Sequence, residues 1–100
     1  MKVVRSNKIR NSAKGQSCTV RLVGICNHNS ETVVFAHVGR HKGTAIKCGD
    51  NFGVYACSSC HDEIDRRTRH MAAHEVWGDL LDALEETQQK LFDKGLLKAE

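Results

Sequence analysis

Residues 55–65 read YACSSCHDEID, and the Cys57-x-x-Cys60-His61 string inside them constrains this chain more than any other feature. Such a string attaches a c-type haem, forms half of a zinc site or serves as a redox dithiol. The rest of the chain chooses among the three. One hundred residues make one domain with a modest core, and chains of that size gain from a metal or disulfide staple. Five cysteines are an odd number for a disulfide framework. The N-terminal stretch MKVVRSNKIRNSAKGQ is basic and lacks the apolar h-region of a secretory signal. No apolar run approaches membrane-spanning length. The expected setting is therefore a reducing cytoplasm, away from the membrane, where paired cysteines bind metal more often than they form disulfides. Haem attachment generally follows export and does not suit that setting. A redox dithiol sits in a βαβ context that these flanks lack, and a chain without proline has no cis-proline to place beside it. Zinc is the reading that remains.

Along the chain, residues 1–16 read as a flexible basic arm. CTVRLVGIC (18–26) alternates like a strand, and TVVFAHV (32–38), rich in β-branched residues, is the clearest strand. GRHKGTAIKCGDN (39–51) is a long glycine-bearing loop, a length that is usually functional. FGVYA (52–56) is a short strand. A helix is expected to start near Ser58 or Ser59, each a good N-cap. A second helix is expected over about 71–93. Ala73, Val76, Trp77, Leu80, Leu84 and Leu91 recur there at helical spacing, and Gly95 is placed to end it. That amphipathic helix is expected to pack on the core, with a homodimer or partner surface as the alternative use. The fold expected is small α+β: a basic arm (1–16), a zinc-stapled core (17–70) and a C-terminal helix (71–100).

Cys57 and Cys60 sit at a strand-to-helix corner, where two thiolates reach one tetrahedral ion at about 2.3 Å. A structural zinc needs two further ligands. Cys18 and Cys26 are the natural pair if the segment between them bends, which Gly24 permits. The alternative is a set in which Cys48, in the glycine loop, replaces one of them. His61 and Asp65 lie four apart on the new helix and share a face, a half-site for a divalent cation. His37 is the lone polar residue in an apolar strand. Asp50 and Asn51 end the loop before the next strand. A strand–loop–strand–helix unit is expected to gather His37, Asp50 or Asn51, His61 and Asp65.

The order AH…G…K..D…ACSSCHDEID resembles the HNH (ββα-metal) nucleases, most closely the small phage and prophage proteins of the YbcO type, which are similar to the RecA-dependent nuclease Ref. The resemblance runs from Cys18 to about Arg67. It implies a DNA endonuclease that hydrolyses phosphodiester bonds. His37 would be the general base, Asp50 (where Asn is usual) or its neighbour Asn51 would orient it, and His61 would bind metal, with Asp65 where a final histidine often stands. Lys47 would contact phosphate. Ala36 stands where many members carry a metal-binding Asp, and the loop GTAIK has one glycine fewer than the usual stretch. A RecA-type recombinase partner is implied by resemblance alone.

Charge agrees with a nucleic-acid substrate. Residues 1–69 hold twelve Lys/Arg against five acids, and residues 70–100 hold three against seven. Phosphate contacts are expected from Lys8, Arg10, Arg40, Lys42 and Lys47. The chemistry needs a base for the attacking water and a cation for the developing charge, which a histidine and Mg²⁺ or Mn²⁺ supply. A zinc closed by four thiolates would be structural instead. The second reading is a non-catalytic, zinc-stabilised DNA- or protein-binding module of phage origin.

Overall fold

The computed structural model describes residues 4–38 and 49–98 of the 100-residue chain. Its elements are α1 (Asn7–Asn11), β1 (Val34–His37), β2 (Gly53–Ala56), α2 (Ser58–Ile64) and α3 (Ala73–Asp93), with a 3-10 turn at Ser30–Thr32 before β1. This is a small α+β fold, a hairpin followed by helices. β1 and β2 pair antiparallel, with Val34 opposite Ala56, Phe35 opposite Tyr55, Ala36 opposite Val54 and His37 opposite Gly53. All four residues of β2 are buried, because the strand lies between β1 and the two helices α2 and α3 that pack on it.

Tyr55 is the centre of the core. Its main-chain N–H and C=O both engage Thr19, the backbone N–H of Thr19 donating to Tyr55 C=O at 2.7 Å and Tyr55 N–H donating to Thr19 Oγ1 at 3.2 Å. Its hydroxyl meets Ser12 Oγ at 2.7 Å, just past α1. Thr19 Oγ1 also meets Thr87 Oγ1 of α3 at 2.9 Å, so this buried polar group is fully partnered.

Three expectations are corrected. The stretch 18–26 is not a strand. Arg21 and Gly24 take positive φ (47° and 76°), which turns the chain twice, so Val20 and Leu22 are buried in irregular structure. The arm is not free over its described part. Ser6 caps α1 by accepting from Ile9 N–H at 3.2 Å, and Ile9 and Ala13 are buried, which anchors the helix beside β1. The N-cap of α2 is Cys57, whose sulfur accepts from Cys60 N–H at 3.4 Å, and not Ser58 or Ser59.

The long helix begins at Ala73 rather than 71, because residues 66–72 are held in a loop by Glu63. That carboxylate, buried in α2, accepts from Met71 N–H (2.8 Å), His70 N–H (3.2 Å) and the Thr68 hydroxyl (2.7 Å). Glu75 reaches back to the N–H of Ala72 at 3.1 Å. At the other end Gly95 takes φ 75°, with Gly95 N–H on Phe92 C=O and Leu96 N–H on Leu91 C=O, both 2.9 Å, a Schellman closure. The face on the core is Val76, Ala83, Thr87 and Leu91. Trp77 and Ala73, expected on that face, are exposed. Trp77 is 65% exposed and its neighbour Leu81 68%.

Candidate metal centre and histidine–carboxylate site

The two turns of residues 18–26 deliver Cys18 and Cys26 to the corner where β2 meets α2. Cys26 is carried on a tight turn, its N–H on Leu22 C=O at 2.9 Å. Cys57 and Cys60 come from the first turn of α2. The four sulfurs lie within 4.8 Å of one another. Cys26 and Cys57 Sγ are 3.8 Å apart, the edge of a tetrahedron with metal–sulfur bonds of about 2.3 Å, which is about 3.8 Å. None of the four is in a disulfide. Burial pushes the Cys26 thiol up. A hydrogen bond from Cys60 pulls Cys18 down to about 4, although burial opposes it, and pushes Cys60 up. Cys18 is therefore the favoured thiolate beside the Cys26 and Cys60 thiols, an arrangement that a soft divalent cation completes. The donor set is compatible with a structural zinc, closed to substrate by its four sulfurs. Cys48 lies outside the described residues.

Arg21 fastens this centre to α3. Its guanidinium donates to Cys18 C=O at 3.1 Å and to Glu86 Oε2 at 3.2 Å.

On the hairpin, His37 ends β1 and Asp50 precedes β2, with Val38 N–H on Phe52 C=O closing the ladder between them at 2.9 Å. His37 Nε2 and Asp50 Oδ1 are 2.7 Å apart. Burial alone would push Asp50 up. His37, the Ser6 N–H and the Arg10 charge outweigh it and hold the carboxyl below the ordinary range. An ionised carboxylate only accepts, so His37 carries its proton on Nε2. Among the described residues nothing bonds Nδ1, whose lone pair is left as the basic one. The Phe35 ring meets the imidazole edge-on, centroids 5.3 Å apart. It lies across Gly53, where any Cβ would overlap it.

His61 Nε2 and Asp65 Oδ2 are 3.1 Å apart on α2, and the Arg67 guanidinium is 3.3 Å from the same Asp65 oxygen. The four residues expected together form these two pairs, His37–Asp50 and His61–Asp65. Among the described residues the cysteine centre is the one place where three or more His, Cys, Asp or Glu ligand atoms converge within 4.8 Å. The Asn51 side chain makes no hydrogen bond among the described residues, and its C=O accepts from Gln88 at 2.8 Å. Lys8 is exposed on α1. Arg10 is engaged by Asp50. Arg40, Lys42 and Lys47 lie outside the described residues. Sequence reasoning missed Glu63, Thr19 and the Arg10–Asp50 pair. A basic residue in a polar arm and an acid in an acid-rich helix carry no local signal of such partners.

No helix among the described residues is long and apolar enough to cross a membrane. A family model described as "Putative nuclease YbcO" matches residues 7–95. The chain is 41% identical over 93 residues to "Putative nuclease YbcO" of Escherichia coli (strain K12), covering 91% of this chain and 97% of the relative. The same figures hold for "Putative nuclease ybcO" of Enterobacteria phage 82. A solved structure described as "Structure of a putative bacteriophage protein from Escherichia coli str. K-12 substr. MG1655" superposes with a TM-score of 0.75 at 39% identity, over 88% of this chain and all of that one. The hairpin, the helix begun by two cysteines, the long terminal helix and this likeness over nearly the whole length agree: the chain belongs to the YbcO family.

Proposed function

We propose that this protein is a phage-type, metal-dependent DNA endonuclease of the HNH kind, working in the cytoplasm, in which His37 is the general base. The observation that carries the reading is the buried Asp50 carboxylate on His37 Nε2, which leaves Nδ1 as a basic nitrogen at a strand end. The names of the relatives support the reaction class. In the step, His37 Nδ1 takes a proton from water, the water oxygen bonds to phosphorus, and the bond from phosphorus to the leaving sugar oxygen breaks. Asp50 keeps the imidazole in the right tautomer and shares the positive charge that forms. His61 and Asp65 offer nitrogen and oxygen donors, both part-exposed, that suit Mg²⁺ or Mn²⁺. When bound there, the cation supplies charge to the phosphate and the leaving oxygen. Arg67 holds Asp65 meanwhile. Lys8, Arg40, Lys42 and Lys47 bind phosphates, so affinity falls steeply with salt. The four-cysteine centre holds the start of α2 still.

Trp77, Leu81 and Phe92 are exposed on α3, and in this reading a second copy of the chain covers them.

The test is nicking of supercoiled plasmid and cutting of single-stranded DNA with Mg²⁺ or Mn²⁺, with and without a recombinase filament. Wild type cuts. His37→Ala does not cut under any metal concentration but keeps its zinc and binds DNA. His61→Ala is partly rescued by added metal. Equal inactivity of wild type and His37→Ala throughout would replace the nuclease with a binding module.

A further inference from the structure

Asp50 is 1% exposed, yet only one of its oxygens serves His37. Oδ2 accepts from the Ser6 N–H at 2.6 Å and from the Arg10 guanidinium. The Asp50 N–H donates to Val4 C=O at 2.8 Å, so residues 4–10 bracket this residue on both its main chain and its side chain. Arg10 is itself steadied by Asn7 Oδ1, one turn earlier, and α1 is pinned by buried Ile9. This is more than a chance surface pair: the helix that begins the described chain closes over a carboxylate forty residues away.

We propose that Arg10, with the Ser6 N–H, is a positioning group for the His37–Asp50 pair. It holds Oδ2 so that Oδ1 faces His37. The kinetic part of this rests on the nuclease reading; the tautomer part does not. Without the guanidinium, Oδ2 keeps only the Ser6 N–H, and the carboxylate can turn away from the imidazole and release its tautomer. Arg10 thus keeps the base correctly oriented.

The His37 imidazole is followed by ¹⁵N NMR in the zinc-loaded full chain, a readout independent of cleavage. Wild type should show the Nε2–H tautomer. Arg10→Gln should lose that tautomer preference, with zinc content and far-ultraviolet dichroism unchanged. Arg10→Lys should restore most of it. Asn7→Ala, which removes only the brace on Arg10, should weaken it by less. In cleavage, Arg10→Gln should lower kcat about tenfold with KM little changed. A raised KM with kcat intact would make Arg10 a DNA contact and overturn the proposal. An unmoved tautomer in Arg10→Gln would overturn it equally, whether or not wild type cuts DNA. Wild type that cuts nothing while the tautomer still shifts would remove the nuclease reading and leave the positioning intact.

Discussion

Gly53→Ala should damage this protein through one side chain, Phe35. Position 53 has no left-handed φ, so alanine fits the backbone. Its Cβ would occupy the place of three Phe35 ring atoms. Phe35 is half-buried and must rotate outward, giving up its edge contacts with His37 at 5.3 Å and Tyr55 at 6.3 Å. Overpacking of this kind costs about 1–3 kcal/mol, and an aromatic pair is worth about 0.5–1.5 kcal/mol beyond its buried area. Against that, replacing glycine by alanine stabilises by about 0.4–1 kcal/mol through the unfolded chain. The net loss should be about 1–2 kcal/mol, lowering Tm by roughly 4–16 °C for a domain of this size. The decisive comparison is with Phe35→Ala. In that background the ring is gone, so Gly53→Ala should be neutral or stabilising by up to about 1 kcal/mol, a coupling of about 1–3 kcal/mol. Urea denaturation followed by dichroism, at fixed free zinc because metal binding adds to stability, gives all four values. An equal cost of Gly53→Ala in both backgrounds would refute the reasoning.

Three further outcomes are expected. Cys57→Ser or Cys60→Ser should lose about one bound Zn²⁺ per chain and the cooperative melt with it, while Cys48→Ser should be much milder; metal analysis beside calorimetry checks this. Glu63 is held below its ordinary value because its backbone and hydroxyl donors, Met71, Thr68 and His70, outweigh burial. The folded chain then binds fewer protons than the unfolded one, so this stability is present above about pH 4.3 and is lost as pH falls through the lower folded value. Glu63→Gln should flatten that acid limb, and an unchanged limb in pH-stepped denaturation would sink the assignment. Finally, sedimentation should show wild type as a dimer and Trp77→Ser/Leu81→Ser as a monomer with unchanged dichroism; a monomeric wild type at tens of micromolar would dismiss α3 as the interface.

The hairpin and the terminal helix were legible because their signals are local. TVVFAHV is a β-branched run, CSSC marks a strand-to-helix corner, and Gly95 ends a periodic stretch. The cysteine set was legible because thiol chemistry leaves few uses for four of them in a small chain. What stayed hidden depends on distant partners. Val20 and Leu22 are buried as an alternating strand would bury them, yet the left-handed φ of Arg21 that breaks the strand has no residue signature. Trp77 keeps helical spacing with Ala73 and Leu80, but periodicity does not say which part of a broad apolar arc faces the chain's own core. Nothing in NKIRN announces that Arg10 meets an aspartate forty positions on. His37 stood out as a polar residue in an apolar strand. Its partner's full shell of donors did not.

The Thr19–Tyr55 pairing has a bearing on colloidal behaviour. A two-stranded ribbon has two open borders, each a template for another chain's backbone. Here the outer border of β2 is occupied at its midpoint by Thr19, which takes both outward amide groups of Tyr55. Thr19 follows Cys18 directly. Whatever fixes Cys18 therefore also keeps that border shut, and thiol oxidation or loss of the ion would open an apolar strand, GVYA, to recruitment by its neighbours. Chelated protein should thus gather into intermolecular sheet, visible as a low-frequency amide I band, rather than remain dispersed as coil. The metal centre, which takes no part in the proposed step, would then act as the guard against self-templated assembly.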